Sequence, residues 1–303
     1  SAEKHFKKQR ETSDNASSNL SKIWFRRMRD LLREIDMNLR CIPGNEPVDF
    51  LDLGCCPGGF SSYILGKNRK ANGTGVSLPV AEGGHEFFLE DRHRSRFQLF
   101  SANFTYYQLG SSVIDNERLQ SVPSDVLGKP FDIVLLDGHQ LRTQVSALPW
   151  DSDRLLISQL ILAIQSVKEG GTIIMKLPMP HKPVTARILH LFETISSRLL
   201  RWKPKLMHAN RGIFYAVAKG VGRGEDSHKI PIILQALKNL WFSLTFGGGE
   251  ASGRHILPED LDFLISMDDL VSYRLDWLTK LGTPLWKVQK LALERLYNKK
   301  CGN

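Results

Sequence analysis

A chain of 303 residues can bury a full core in one large domain with additions, and its 41 Lys+Arg against 32 Asp+Glu leave a net charge of +9. That balance favours a polyanionic partner such as nucleic acid over an acidic small molecule. The four cysteines, at 41, 55, 56 and 301, show neither metal-ligand spacing nor a disulfide framework, and no apolar run approaches the roughly 18 residues of a membrane span; with no apolar signal core at the N-terminus, the expectation is a reduced, intracellular protein with no membrane partner.

Residues 1–20 carry Lys4, Lys7, Lys8 and Arg10 and then a Ser/Asn run with little to bury. They read as a flexible basic arm, either touching phosphates or simply solvated. From Ser21 the spacing predicts a helix with Trp24, Met28, Leu31, Ile35 and Leu39 on one stripe. Lys22, Arg26, Arg29 and Arg33 fall on its other side, a solvated surface or one wall of an anion-binding cleft.

Val48–Leu53 reads as a buried strand, and Gly54-Cys55-Cys56-Pro57-Gly58-Gly59 as a sharp turn into a helix, the layout of a cofactor loop. Further strands are expected at 73–78, 96–102, 131–136 and 172–177, with a short helix within 79–95. A long helix is expected at 154–167, capped by Asp151 or Ser152 and closed by Gly170-Gly171. Residues 206–210 and 213–219 are expected to form two last strands joined at Arg211-Gly212. Between 172–177 and this pair lies a basic stretch with Arg198, Arg201, Trp202, Lys203 and Lys205, a plausible RNA wall or ordinary surface. Gly220–Gly224 reads as a linker, and the chain is helical again from Lys229, interrupted at 246–253. Thr283 as N-cap and Pro284 at the first position open the expected final helix. This tail, 223–303, reads as a helical cap or a protein-partner module.

Strands alternating with helices imply an α/β domain with a mostly parallel sheet covered on both faces, whose ligands bind beyond the carboxyl ends of the strands. Gly54, Asp137 and Lys176 all fall at or just after such ends. His139 and His181 flank the same ends, where either could meet a substrate.

The run Asp52-Leu-Gly-Cys-Cys-Pro57-Gly58-Gly59-Phe60-Ser61 resembles the S-adenosylmethionine motif of the FtsJ-type ribose 2′-O-methyltransferases. Trp24-Phe25-Arg26, the strand 132–137, the segment 155–176 ending at Lys176, and Tyr215–Gly220 match in the same order. The resemblance covers residues 21–221 and implies a Rossmann-like class I methyltransferase fold with a seven-stranded sheet over 21–222. It also implies S-adenosyl-L-methionine as cofactor, held by Asp52, Gly54, Cys55, Cys56, Pro57, Gly58, Gly59, Phe60 and Asp137. Ser77 takes the ribose position and Asn103 and Phe104 the adenine position, where relatives often carry acidic residues. Gly58 and Gly59 are expected to clear side chains from the cofactor's approach. Gly75-Val76-Ser77-Leu78 also resembles the cap-methylating branch.

Of the family's catalytic Lys-Asp-Lys-Glu tetrad, the Asp falls on Asp137 and the second Lys, the base, on Lys176. The first Lys falls on Arg26, which would act as a phosphate or ribose clamp, and the Glu falls on Ile213. No Asp or Glu occurs from Thr194 to Gly224. The implied RNA-binding set is Lys22, Arg26, Arg29, Arg201, Trp202 and Lys203. Three functions remain open at this level: an RNA ribose methyltransferase, an RNA-binding or scaffolding relative with impaired chemistry, and a methyltransferase on another acceptor.

Overall fold

The computed structural model describes residues 18–141, 144 and 147–301. The expected arm therefore lies outside the described residues as far as residue 17, and Ser18–Leu20 already belong to the first helix, α1 (Ser18–Leu39). Seven strands form one sheet: β1 (Val48–Leu53), β2 (Ala71–Ser77), β3 (Phe97–Ser101), β4 (Phe131–Leu136), β5 (Val167–Pro178), β6 (Ser196–Trp202) and β7 (Ile213–Val221), in the order β3-β2-β1-β4-β5-β7-β6. The β1–β5 pairings are parallel and β7 is antiparallel to both neighbours. The expected mostly parallel seven-stranded sheet is thus present.

The helices that follow α1 are α2 (Gly59–Lys67), α3 (Asp91–Arg94), α4 (Ser124–Leu127), α5 (Asp151–Ser166), α6 (Pro183–Ile195), α7 (Ile230–Phe246) and α8 (Met267–Cys301). One sheet face packs Phe50, Leu135, Ile174 and Val217 against Leu31, Leu32 and Ile35 of α1 and Ile64 and Leu65 of α2. Each such side chain removed from water contributes about 1.5–3 kcal/mol. The other face packs Leu53, Leu136 and Met175 against α5, α6 and α7, and this same core takes in Trp241, Leu270, Leu281 and Leu285 of the C-terminal region. No helix among the described residues is long and apolar enough to cross a membrane.

Four local expectations are corrected. The sixth strand is Ser196–Trp202, whereas 206–210 is irregular and places His208 at φ 62°. As an edge strand β6 keeps its arginines at the surface, so its charges hide its strand character. Gly170-Gly171 do not close α5, which ends where Val167 turns extended into β5; Gly170, at φ 80°, lies inside β5 beside its shift of register against β4. The break between the last two helices spans 247–266. Finally, Thr283-Pro284 opens no helix: Thr283 Oγ1 donates to Thr279 O at 2.7 Å within a helix already formed. Buried Leu278, Leu281 and Leu285 carry the apolar stripe across the proline, and that packing outweighs the one backbone bond Pro284 cannot make.

Candidate active site

Asp52, Asp137, Lys176 and Tyr215 stand two residues along their strands from Phe50, Leu135, Ile174 and Val217, so they share the face that α1 and α2 cover. The ends of β1 and β4 close on one another there. Gly54, at φ 82°, has no room for a side chain, since a Cβ would lie 2.5 Å from Gly138 Cα. Asp137 N and Gly138 N both donate to Leu53 O, at 3.2 and 3.1 Å. Gln159 of α5 fixes the next peptide reciprocally, accepting from Gly138 N at 3.0 Å and donating to Gly138 O at 3.2 Å. The chain beyond β4 is therefore held rigidly where it delivers His139.

Lys176 Nζ donates to Asp137 O at 2.6 Å, pairs with Asp137 Oδ2 at 3.2 Å and lies 3.1 Å from His139 Nδ1, which is itself 3.4 Å from Asp137 O. The other carboxylate oxygen, Oδ1, accepts from Tyr215 OH at 2.7 Å. His139, whose side chain is exposed at the cleft, is held down to about 4, first by the adjacent Lys176 charge. His208 is likewise held down to about 4, by burial first and by Lys176 next. Asp52 is buried, takes a hydrogen bond from Ser61 Oγ at 2.7 Å on Oδ2, and leaves Oδ1 without a partner. Burial, opposed by Ser61 and reinforced by Asp137, pushes its carboxyl up to about 7.

Beside this cluster an open cleft runs along the strand ends. Of the expected cofactor residues, Cys56, Ser77, Asn103 and Phe104 line it, together with Gly138 and His139. Ser77 Oγ also accepts from Cys56 N at 3.3 Å, which ties the turn to β2. Asn103 spends its carbonyl oxygen on Thr105, accepting from its N at 3.2 Å and its Oγ1 at 2.7 Å. What remains to a ligand is its NH2 group, a donor. His85 lines the cleft too, kept neutral by burial, with its ring 5.5 Å from that of Trp24 on α1.

Asp52, Gly54, Cys55, Pro57, Gly58, Gly59 and Phe60 are not among the lining residues. Around two of these glycines neighbouring elements of the protein come close. A Cβ at Gly59 would strike Phe25 O at 2.4 Å and Arg29 N at 2.7 Å, and one at Gly58 would strike the Phe87 ring at 2.9 Å. The glycines admit α1 and Phe87.

The expected RNA set is scattered. Lys22 and Arg26 are exposed one turn apart on α1, whereas Arg29 is half-buried and pairs with Glu90 at 3.6 Å. Arg201 Nε donates to Leu281 O at 3.3 Å and Trp202 Nε1 to Glu34 Oε1 at 2.9 Å. Lys203 is corrected: it is buried, donating from Nζ to Arg211 O and to Ile213 O, and so faces no solvent. Ile213 stands two residues from Tyr215 on the same strand face and brings no carboxylate.

The family model of the FtsJ-like methyltransferases matches residues 32–221. The cap-specific mRNA (nucleoside-2′-O-)-methyltransferase 1 of Danio rerio is 28% identical over 189 residues, covering 59% of this chain and 22% of that protein. Its counterpart in Mus musculus is 27% identical over 209 residues, covering 65% of this chain and 23% of that protein. The chain thus spans less than a quarter of the length of these relatives. A solved structure described as a ribosomal RNA methyltransferase from Plasmodium falciparum aligns with a TM-score of 0.44 and 20% identity, covering 64% of this chain and 97% of that one. The matched residues run from the middle of α1 to the end of β7 and enclose the cleft and the Asp137–Lys176 cluster, and on that match the chain belongs to the FtsJ-like methyltransferase family.

Proposed function

We propose that this chain binds S-adenosyl-L-methionine in the cleft and methylates a ribose 2′-hydroxyl of RNA. The cleft residues suit the cofactor: neutral polar groups at Ser77 and Asn103 and the ring of Phe104 would hold its nucleoside. Behind them, the unpartnered Oδ1 of Asp52 is an acceptor that a bound ammonium or a bridging water can satisfy. When bound, the cofactor supplies an electrophilic methyl group, and the protein must supply orientation and a place for the hydroxyl proton.

The observation that carries this reading is the hold of Asp137 on Lys176 Nζ, through both its carbonyl and its carboxylate oxygen. A neutral lysine that takes the ribose proton at Nζ becomes an ammonium, which Asp137 O and Asp137 Oδ2 hold while a third direction is left for the hydroxyl. Asp137 adds the countercharge and Tyr215 keeps its carboxylate from turning away. Arg26, exposed on α1, is assigned to clamp phosphate.

The second reading, an RNA-binding or scaffolding protein without transfer, is favoured by Ile213, which brings no carboxylate to the tetrad position. Calorimetric titration with S-adenosylmethionine, followed by radiolabelled methyl transfer to total RNA, separates the two. Transfer by wild type and its loss in Lys176→Ala, with cofactor binding retained, is the expected result. Cofactor binding without transfer to any RNA favours the scaffold, and transfer that survives Lys176→Ala removes Lys176 as base.

A further inference from the structure

Residues 222–301 lie beyond the family match, yet the last helix packs against the segment that follows the end of β5, the strand that carries Lys176. His181 lies in the segment between β5 and α6, five residues after Lys176, and its exposed ring packs against that of Trp286 on α8, with centroids 5.9 Å apart. The helix is fixed there. Leu281 and Leu285 are buried in the main core, and Arg201 of β6 donates to Leu281 O.

Beyond that anchor α8 changes character. Its first third holds Asp268, Asp269 and Asp276 against Arg274, whereas Lys280 to Cys301 holds Lys280, Lys287, Lys290, Arg295, Lys299 and Lys300 against Glu294 alone. Trp286, Lys290, Leu293 and Tyr297 follow at steps of four, three and four, which puts them on one stripe. Leu293 is 38% exposed and Tyr297 69%, far more than a packed helix face requires, and Lys290 is exposed beside Glu294 at 3.7 Å. The stripe covers about 16 Å along the helix.

We infer that this stripe, starting at the His181–Trp286 pair, is a binding strip for single-stranded RNA and holds the nucleotides next to the one being methylated. Aromatic faces set among exposed lysines match what single strands offer, stackable bases on a charged backbone, and the excess of positive charge matches a polyanion rather than an apolar protein partner. The inference rests on the RNA-methylating function proposed above.

The test uses the full chain and a fluorescein-labelled single-stranded oligouridine, followed by anisotropy over a range of salt. Trp286→Ala and Tyr297→Ala are each expected to weaken binding about fivefold or more. Lys290→Glu, a change on an exposed side chain that leaves the core intact, is expected to weaken it and to flatten its salt dependence. Affinity for S-adenosylmethionine should be unchanged in all three. Variants that bind RNA as wild type does overturn the strip and leave the methyltransferase reading standing, whereas a wild type that binds no RNA overturns both. Preference of the wild type for phosphatidylserine vesicles over RNA, lost in Lys290→Glu, would make α8 a membrane-surface helix and also overturn the strip.

Discussion

Tyr215 donates its hydroxyl to Asp137 Oδ1 at 2.7 Å from the β7 position directly opposite Lys176 in the β5–β7 register. The two oxygens of one buried carboxylate are thus divided between a phenol and an ammonium. Tyr215→Phe removes the donor and leaves Oδ1 unpaired away from water, a cost of about 1–3 kcal/mol. The urea midpoint should fall with no change in slope. Lys176→Met leaves the same carboxylate without its countercharge, and the double variant should lose less than the sum of the single losses, because both act through Asp137.

The pH dependence of stability follows from groups shifted in opposite senses. His139, His190 and His208 are each held down to about 4 from 6.5, His139 first by Lys176 and the other two first by burial. Between those values the native chain binds fewer protons than the unfolded one, so the stability they contribute is present above 6.5 and lost as pH falls through 4. Asp52, raised by burial from 3.8 to about 7, acts the other way: its contribution is present below 3.8 and lost as pH rises through 7. With three histidines against one carboxyl, urea midpoints should rise from pH 4 to 6.5. His139→Gln should flatten that rise, and Asp52→Asn should steepen it.

The limits of the sequence are seen in the same residues. β1 and β4 are readable to the residue because each is a mostly apolar run between turns. β6 is not, because an edge strand of arginines and leucines has the composition of a surface. The helix α6 was likewise hidden behind Pro183, which opens it. That Asp137 and Lys176 belong at one sheet edge follows from strand order. That His139 reaches Lys176 does not, since it depends on Gln159, 21 residues away, locking the peptide at Gly138. Nor does the burial of Lys203, whose acceptors are carbonyls supplied by a turn and a strand start rather than by any charged side chain.

Gly59 tests the packing of α1 on the glycine-rich turn after β1. A methyl group there meets backbone on one side, Phe25 O and Arg29 N, and Met28 Cβ at 2.6 Å on another, so relief requires the whole helix to shift. Gly59→Ala should lower stability by about 1–3 kcal/mol or more. Because Trp24 of α1 lies against His85 in the cleft, the shift should also change tryptophan fluorescence and weaken cofactor binding. Gly66→Ala, whose Cβ would meet only His93 Nε2 at 3.8 Å, is the control and should melt as wild type does.

Lys203 separates a structural lysine from one that binds RNA. Its ammonium bridges the Arg211 turn to the first residue of β7, and burial draws it down from 10.5 to about 8. Between 8 and 10.5 the native chain binds fewer protons than the unfolded one, so stability from this group is present above 10.5 and lost as pH falls through 8. Lys203→Met removes that dependence and leaves two carbonyls without their donor, so denaturation followed across pH 7 to 10 should show a less stable protein whose curve no longer climbs at the alkaline end. Its affinity for RNA, where the variant is folded, should match wild type with an unchanged salt slope, in contrast to Lys290→Glu. A lysine that held phosphate would give the reverse pair of results, a flatter salt slope and an unaltered alkaline limb.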